Sequence, residues 1–364
     1  MDFKNVIIKW YNENKRDLPW RNTVNPYYIW VSEVILQQTR VAQGLDYYHR
    51  FIDAFPTIKD LAEADLDRVM KVWQGLGYYS RARNLQNGAK QVMAEYNGKL
   101  PSSYNELLNI KGIGPYSAGA IASFAFKEAV PAIDGNVYRV MARIYGVFAS
   151  SETASGKKEF FDLTMELIDK KRPNIFNQAL LDFGALQCVP RSPNCGICPF
   201  DSICYAYRNN LINQLPVKGK KIATRDRFLN YIIIRYKGST FIQRREGDDI
   251  WNSLYQFPLI ETSKGVEIDQ LVKEPAWKEI FGKVDVNILY ISDPIKHLLS
   301  HQTLYTKFVI VEIEKASYYL KSNYNKISIP DIQEYSVPRV IDSFLAAEPA
   351  ERYFRKEIKV ESRE

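Results

Sequence analysis

The stretch LLNIKGIGPYSAGAIASFAF, residues 107–126, sets two glycines and a proline between two apolar runs. Glycine tolerates positive φ and lets another backbone approach closely. Proline suits the first turn of a helix, where its missing N–H costs nothing. The pattern predicts a helix ending at Ile110, a tight turn over Gly112–Gly114, and a second helix opening with Pro115, Tyr116 and Ser117. Unpaired N–H groups at that opening would form an anion site, for which a DNA phosphate is a natural occupant. A plain αα-hairpin that only needs a tight turn leaves the same trace. Close behind comes AIDGNVYRV, in which Asp134 is placed to cap a helix starting near Asn136.

Length and charge narrow the class. The 364 residues can bury two or three cores. The net charge is +7, and residues 1–224 carry all of it, with 28 Lys and Arg against 21 Asp and Glu; residues 225–364 hold 21 of each. An anionic partner is therefore expected to meet the first part. No apolar run reaches the ~18 residues of a membrane span, and the N-terminus lacks the uninterrupted apolar segment of a secretory signal. All four cysteines, Cys188, Cys195, Cys198 and Cys204, fall within one window of 17 residues. Disulfides there would close only short loops, so a metal site is favoured. The spacing C-x6-C-x2-C-x5-C leaves tetrahedral zinc and an iron–sulfur cluster both open.

Residues 1–210 read as helical. Val34, Val41, Leu45, Tyr48 and Ile52 follow a helical period, with Ser32 as N-cap, which puts Glu33 in a first turn. TIKDLAEADLDRVMKVWQGLG repeats the pattern from Thr57 and stops at glycines. KEFFDLTMELIDK and FNQALLDFGALQ supply two further amphipathic helices. Residues 211–226 read as a polar, basic linker. Beyond it, FLNYIIIRY-KGS-TFIQRR predicts a two-stranded hairpin, TKFVIVEIE a strand, and PDIQEYSVPRVIDSFLAA a final helix.

Taken together, IKGIGPYSAGAIASFAF and AIDGNVYRVMAR resemble the helix-hairpin-helix motif and trailing aspartate of the endonuclease III superfamily. RDLPWR (16–21), SEVILQQTRV (32–41), WQGLGYYSRARNL (73–85) and the cysteine series are similar to its MutY-type adenine-specific branch. The resemblance implies an all-α glycosylase region over 1–210: a six-helix domain at about 22–132, and a module from 1–21 and 133–210 carrying the cysteines. An α+β MutT-like (Nudix-like) domain over 227–364 is implied to follow. It resolves the cysteines in favour of a [4Fe-4S] cluster, structural and DNA-facing, with Arg191 in its loop. It further implies hydrolysis of the N-glycosidic bond of adenine opposite 8-oxoguanine or guanine in double-stranded DNA. The expected setting is a monomer in a bacterial cytoplasm.

The implied chemistry needs two carboxyl groups of opposite duty, one protonated for the departing base and one ionised beside the cationic sugar. The resemblance assigns the first to Glu33 and the second to Asp134, with Tyr116 and Asn136 supporting Asp134. Read alone, Glu33 is a helix-dipole partner and Asp134 a cap. Lyase-type sister enzymes carry a lysine nucleophile where this chain has Tyr116, and Lys111 is out of register. A monofunctional enzyme leaving an abasic site is therefore implied. The resemblance also implies DNA contacts from Gly112 and Gly114, a duplex wedge from Leu76 and Tyr78 with Gln38 and Thr39 nearby, and an adenine pocket lined by Trp20, Arg21 and Gln178. DDIWNSLYQFPLIE matches the MutT-like module, but EIDQLVKEPAWKEIFGK lacks the Glu-rich helix that would hold magnesium, so no phosphohydrolase is expected. KHLLSHQTLY resembles the loop that reads 8-oxoguanine, with Leu299, Ser300 and His301 where the family usually has Phe-Ser-His. A non-catalytic damage-binding protein and a bifunctional glycosylase/lyase are the alternatives.

Overall fold

The structure, a computed structural model, describes residues 2–217, 219, 224–299 and 301–354. It divides into two units, residues 1–64 with 81–221 and residues 65–80 with 222–364.

The first unit is helical: α1 (Phe3–Asn14), α2 (Pro26–Leu36), α3 (Val41–Ala54), α4 (Ile58–Glu63), then, after α5 (Leu66–Trp73) of the second unit, α6 (Ser80–Glu95), α7 (Tyr104–Leu107), α8 (Pro115–Phe126), α9 (Gly135–Tyr145), α10 (Ala154–Leu167), α11 (Pro173–Asp182) and α12 (Tyr205–Arg208). Helix α2 begins earlier than the periodicity suggests. Asn25 caps it by accepting from the Tyr27 and Tyr28 N–H groups, and Pro26 occupies the first turn. Ser32 is therefore no cap: it lies inside the helix and its hydroxyl donates to the Ile29 carbonyl at 2.7 Å. The helix expected to run on to Ile52 breaks at Gln37–Arg40, where Gln38 adopts φ +57°. Arg81 fastens this break by donating Nη1 to the carbonyls of Val34, Ile35 and Gln37 at 2.8, 3.0 and 2.6 Å. The segment from Thr57 likewise divides into α4 and α5, with a Thr57–Asp60 capping box starting the first. Every residue of α2 from Ile29 to Ile35 is buried, which makes it the central helix.

At the glycine-proline turn, the first helix stops at Leu107 rather than Ile110. Gly112 has φ +85°, and a Cβ there would lie 2.9 Å from Asn84 Cβ. Both conformation and crowding therefore exclude a side chain. Gly114 differs: it is the N-cap of α8 at φ −93°, with open space where a side chain would stand.

The second unit is built on β1 (Arg225–Arg235), β2 (Ser239–Arg244), β3 (Tyr255–Gln256), β4 (Leu259–Thr262), α13 (Ile268–Leu271), α14 (Pro275–Phe281), β5 (Asn287–Ile291), β6 (Ile295–Leu298), β7 (Gln302–Glu312), α15 (Tyr318–Asn323), β8 (Asn325–Ser328), α16 (Arg339–Leu345) and α17 (Glu348–Tyr353). One sheet has the order β4-β1-β7-β5, with β6 also on β7; the other has β3-β2-β8. The predicted turn forms, closed by a Tyr236–Ser239 bridge over Lys237 and Gly238. Its strands nevertheless part into different sheets. β1 pairs in parallel with β7 from Arg225↔Gln302 to Arg235↔Glu312, while β2 pairs with β3 and β8. The run Tyr231–Ile234 explains this: it is buried on both faces, Tyr231 and Ile233 toward α16, Ile232 and Ile234 toward α14 and α15. Such a strand needs neighbours covered on both sides, which a two-stranded ribbon cannot provide. Among the described residues no helix is long and apolar enough to cross a membrane.

Candidate active site

A cleft of about 1010 Å³ opens in the first unit. Trp20, Arg21, Glu33, Gln38, Thr39, Tyr116, Asp134, Asn136 and Gln178 all line it. These residues come from five separate stretches of chain.

Glu33 projects from the buried face of α2 and is only 5 % exposed. The Tyr116 hydroxyl donates to its Oε2. Sequence reasoning assigned Tyr116 to Asp134; the packing of α2 against α8 gives it to Glu33 instead. Burial pushes the Glu33 carboxyl up to about 7, against the opposing pull of the Tyr116 hydrogen bond and Arg21, with Asp134 adding to the rise. The phenol of Tyr116 is driven well above its ordinary range by burial and by Glu33, so it stays a donor. One carboxyl oxygen of Glu33 is thus engaged, and the other can carry a proton.

Asp134 does cap α9. Its Oδ1 accepts from the Asn136 and Val137 N–H groups at 2.8 and 2.9 Å, and its Oδ2 accepts from Asn136 Nδ2 at 2.7 Å. The cap and the cleft carboxylate are therefore one side chain. Burial pushes Asp134 above its ordinary value, while the Val137 and Asn136 donors and Arg139 pull it down. Asn136 is held in turn: its Oδ1 accepts from Arg139 Nη2 at 2.8 Å.

Arg21 sits in a short 3-10 turn, Pro19–Arg21, and does not point free into the cleft. Together with Arg16 it grips the buried Asp182; Arg21 Nη2 to Oδ1 is 2.6 Å and Arg16 Nε to Oδ1 is 2.9 Å. Burial raises the Asp182 carboxyl, but these pairs overrule it and hold it below its ordinary value. Asp182 was missed from sequence, although a signal existed: a lone carboxylate inside the apolar run ALLDFGAL must find a cation once buried. Gln178 has its Oε1 engaged by the Tyr11 hydroxyl at 2.7 Å, which leaves its amide nitrogen to meet a ligand.

Other expected contacts lie elsewhere. Leu76 and Tyr78 belong to the second unit; Leu76 is buried, whereas Tyr78 is 49 % exposed with φ +46°. Leu299 is half-buried against the core of the second unit and His301 is exposed. Ser300 lies outside the described residues.

All four cysteines line one small apolar cavity with Ile144, Phe183 and Ile212. Cys204 Sγ donates to the Arg143 carbonyl at 3.3 Å, and Arg143 Nη1 lies 3.5 Å from Cys188 Sγ. Four thiols around one cavity, with a guanidinium to balance thiolate charge, fit a thiolate-bound cluster. Among the described residues no group of three or more His, Cys, Asp or Glu converges to hold a single metal ion, so the thiols ring a cavity and do not meet at one point. Arg139 Nε also donates to the Cys188 carbonyl at 2.7 Å, so one guanidinium joins the cysteine loop to Asn136.

The helical arrangement of the first unit recurs in a thermostable thymine-DNA glycosylase (TM-score 0.52, 28 % identity, 57 % of this chain and 95 % of that one). The family model of the HhH-GPD superfamily base excision DNA repair protein matches residues 31–168, and that of the NUDIX domain matches residues 230–347. Fold and site thus define a helix-hairpin-helix base-excision repair protein with a Nudix-like unit. Two relatives narrow the class. The adenine DNA glycosylase of Buchnera aphidicola subsp. Baizongia pistaciae is 36 % identical over 330 residues, 88 % of this chain and 89 % of that protein. The rat adenine DNA glycosylase is 43 % identical over 215 residues, 57 % of this chain and 42 % of that protein. The chain belongs to the adenine DNA glycosylase family.

Proposed function

We propose that the protein hydrolyses the N-glycosidic bond of adenine mispaired with 8-oxoguanine or guanine in double-stranded DNA, and leaves an abasic site. The observation that carries this reading is Glu33: a carboxyl with its pKa near 7, held by a phenol, in the same cleft as the capped Asp134.

The steps follow from the residues. The N-terminus of α8, with open space over Gly114, takes a backbone phosphate and anchors the duplex. Adenine is extruded into the cleft, where the Gln178 amide donates from Nε2 and Trp20 supplies an apolar wall. Glu33 gives its proton to the ring nitrogen of the departing base, which removes the negative charge that would otherwise build there. Asp134 is drawn to its anionic form by its three donors and by positive charge growing on the sugar. Water then adds to the sugar cation and gives up a proton to the Glu33 carboxylate, which restores the acid for the next turnover. No lysine stands at Tyr116 to form a Schiff base, so the strand is not cut.

Cys188, Cys195, Cys198 and Cys204 would hold a [4Fe-4S] cluster, which ties their loop to the unit. The second unit reads the base opposite adenine through the hairpin between β6 and β7, with His301 as a hydrogen-bond donor. The domain boundaries follow the same reading: a glycosylase region to residue 210, a linker over 211–226, and a MutT-like region from 227. The protein acts as a monomer on chromosomal DNA.

A single-turnover assay on a duplex holding adenine opposite 8-oxoguanine tests the proposal. Wild type releases adenine, and E33Q and D134N bind the duplex without release. A wild-type protein with its cluster in place that releases no base would end the reading. A covalent adduct trapped by borohydride would turn it toward a glycosylase/lyase.

A further inference from the structure

We propose that Leu298, with Lys296 beside it, is the residue pair through which the second unit holds the DNA strand opposite adenine, in place of the expected Leu299. The inference rests on the glycosylase reading above and names the surface that unit would use.

Strand geometry carries it. Side chains alternate between faces along a strand, so His297 and Leu299 share one side of β6, and Lys296 and Leu298 the other. The partners on β7 say which side is which. His297 stands opposite Leu304, which belongs to the core shared with Phe308, Ile310 and α16. Leu299 packs on that same core, and its N–H closes the hairpin to the Gln302 carbonyl at 2.8 Å. Leu298 stands opposite Thr303 and is 71 % exposed. Lys296 stands opposite Tyr305, with Nζ 5.7 Å from the ring centroid. Tyr305 in turn stacks on Phe228 of β1, centroids 5.1 Å apart and planes at 12°. The outward face beside the hairpin therefore offers an aromatic pair, a cation and a projecting leucine.

A single exposed leucine is ordinary. This one ends the strand that leads into the hairpin, two residues from a cation, in a chain whose partner is a polyanion. A phosphate is favoured over Lys296, and Leu298 can enter beside a base as apolar wedges do. Asp226 lies on the same face, paired with Thr303 across β7 from Leu298. It repels phosphate there and leaves the β6 side as the track for the strand.

The test titrates the full-length protein with a duplex carrying 2′-fluoro-2′-deoxyadenosine opposite 8-oxoguanine, followed by fluorescence anisotropy at several salt concentrations. The fluorine disfavours the sugar cation, so binding is read without excision. L298A is expected to weaken binding about tenfold with an unchanged melting temperature, on the scale of one lost wedge. K296A is expected to lower the salt slope by about one. L299A is expected to lower the melting temperature while its folded fraction binds within about twofold of wild type. L298A binding within about twofold of wild type overturns the inference, as does a folded L299A that alone loses tenfold. Excision from the unmodified duplex is measured alongside. If wild type does not excise, the glycosylase reading fails first; if it excises and L298A binds normally, this inference fails alone.

Discussion

Replacing Glu33 by glutamine should stabilise the protein at alkaline pH while abolishing excision. The folded carboxyl has its pKa near 7 because burial penalises the charged form, against an ordinary 4.5. A proton is thus bound more tightly in the folded state than in the unfolded one. That contribution is fully present below pH 4.5 and is lost as pH rises through 7. The gap between the two values, at about 1.4 kcal/mol per pH unit, amounts to about 3 kcal/mol. Glutamine keeps an oxygen to accept the Tyr116 hydroxyl and carries no charge to bury. The E33Q protein should therefore exceed wild type by under about 1 kcal/mol near pH 5 and by about 3 kcal/mol near pH 8.5. Urea unfolding of both proteins at each pH gives the comparison, and other titrating groups cancel in the difference. Catalysis runs the opposite way: wild-type single-turnover rates should fall above pH 7 as the acid deprotonates. Parallel stability profiles for the two proteins between pH 5 and 8.5 would refute a buried Glu33 held near neutrality.

Three further outcomes follow from the same contacts. D134N should lose excision yet stay within about 1 kcal/mol of wild-type stability in thermal melts, because asparagine also caps helices, whereas D134A should give up about a further 1 kcal/mol. D182N should cost about 3–5 kcal/mol, since it leaves Arg16 and Arg21 facing a buried site without its anion; a melting temperature near wild type would show that the pairs carry little. G112A should destabilise by more than about 1 kcal/mol, for its left-handed φ and its contact with Asn84. G114A should melt like wild type and instead weaken duplex binding in a filter or anisotropy assay.

Local chemistry was legible along the chain. Proline after Gly114 starts α8, and Asp134 before Gly135 and Asn136 caps α9, because both signals act within a turn of the residue that carries them. The cysteine spacing announced a shared site, and four thiols do line one cavity. Boundaries fared less well. The periodicity from Val34 to Ile52 ran through the break at Gln37–Arg40, since apolar spacing does not register a turn that a distant Arg81 holds in place.

What only the tertiary structure decided is which side chains meet. Tyr116 lies 83 residues from Glu33, and Arg21 lies 161 from Asp182. Burial, not residue type, lifts Glu33 toward 7. The KGS turn is local and correct, yet its two strands entered different sheets because a run buried on both faces needs covered neighbours on each side. Short-range rules set where an element starts and stops; partner, dielectric and exposed face depend on packing among segments far apart in the chain, and that information is spread over the whole sequence.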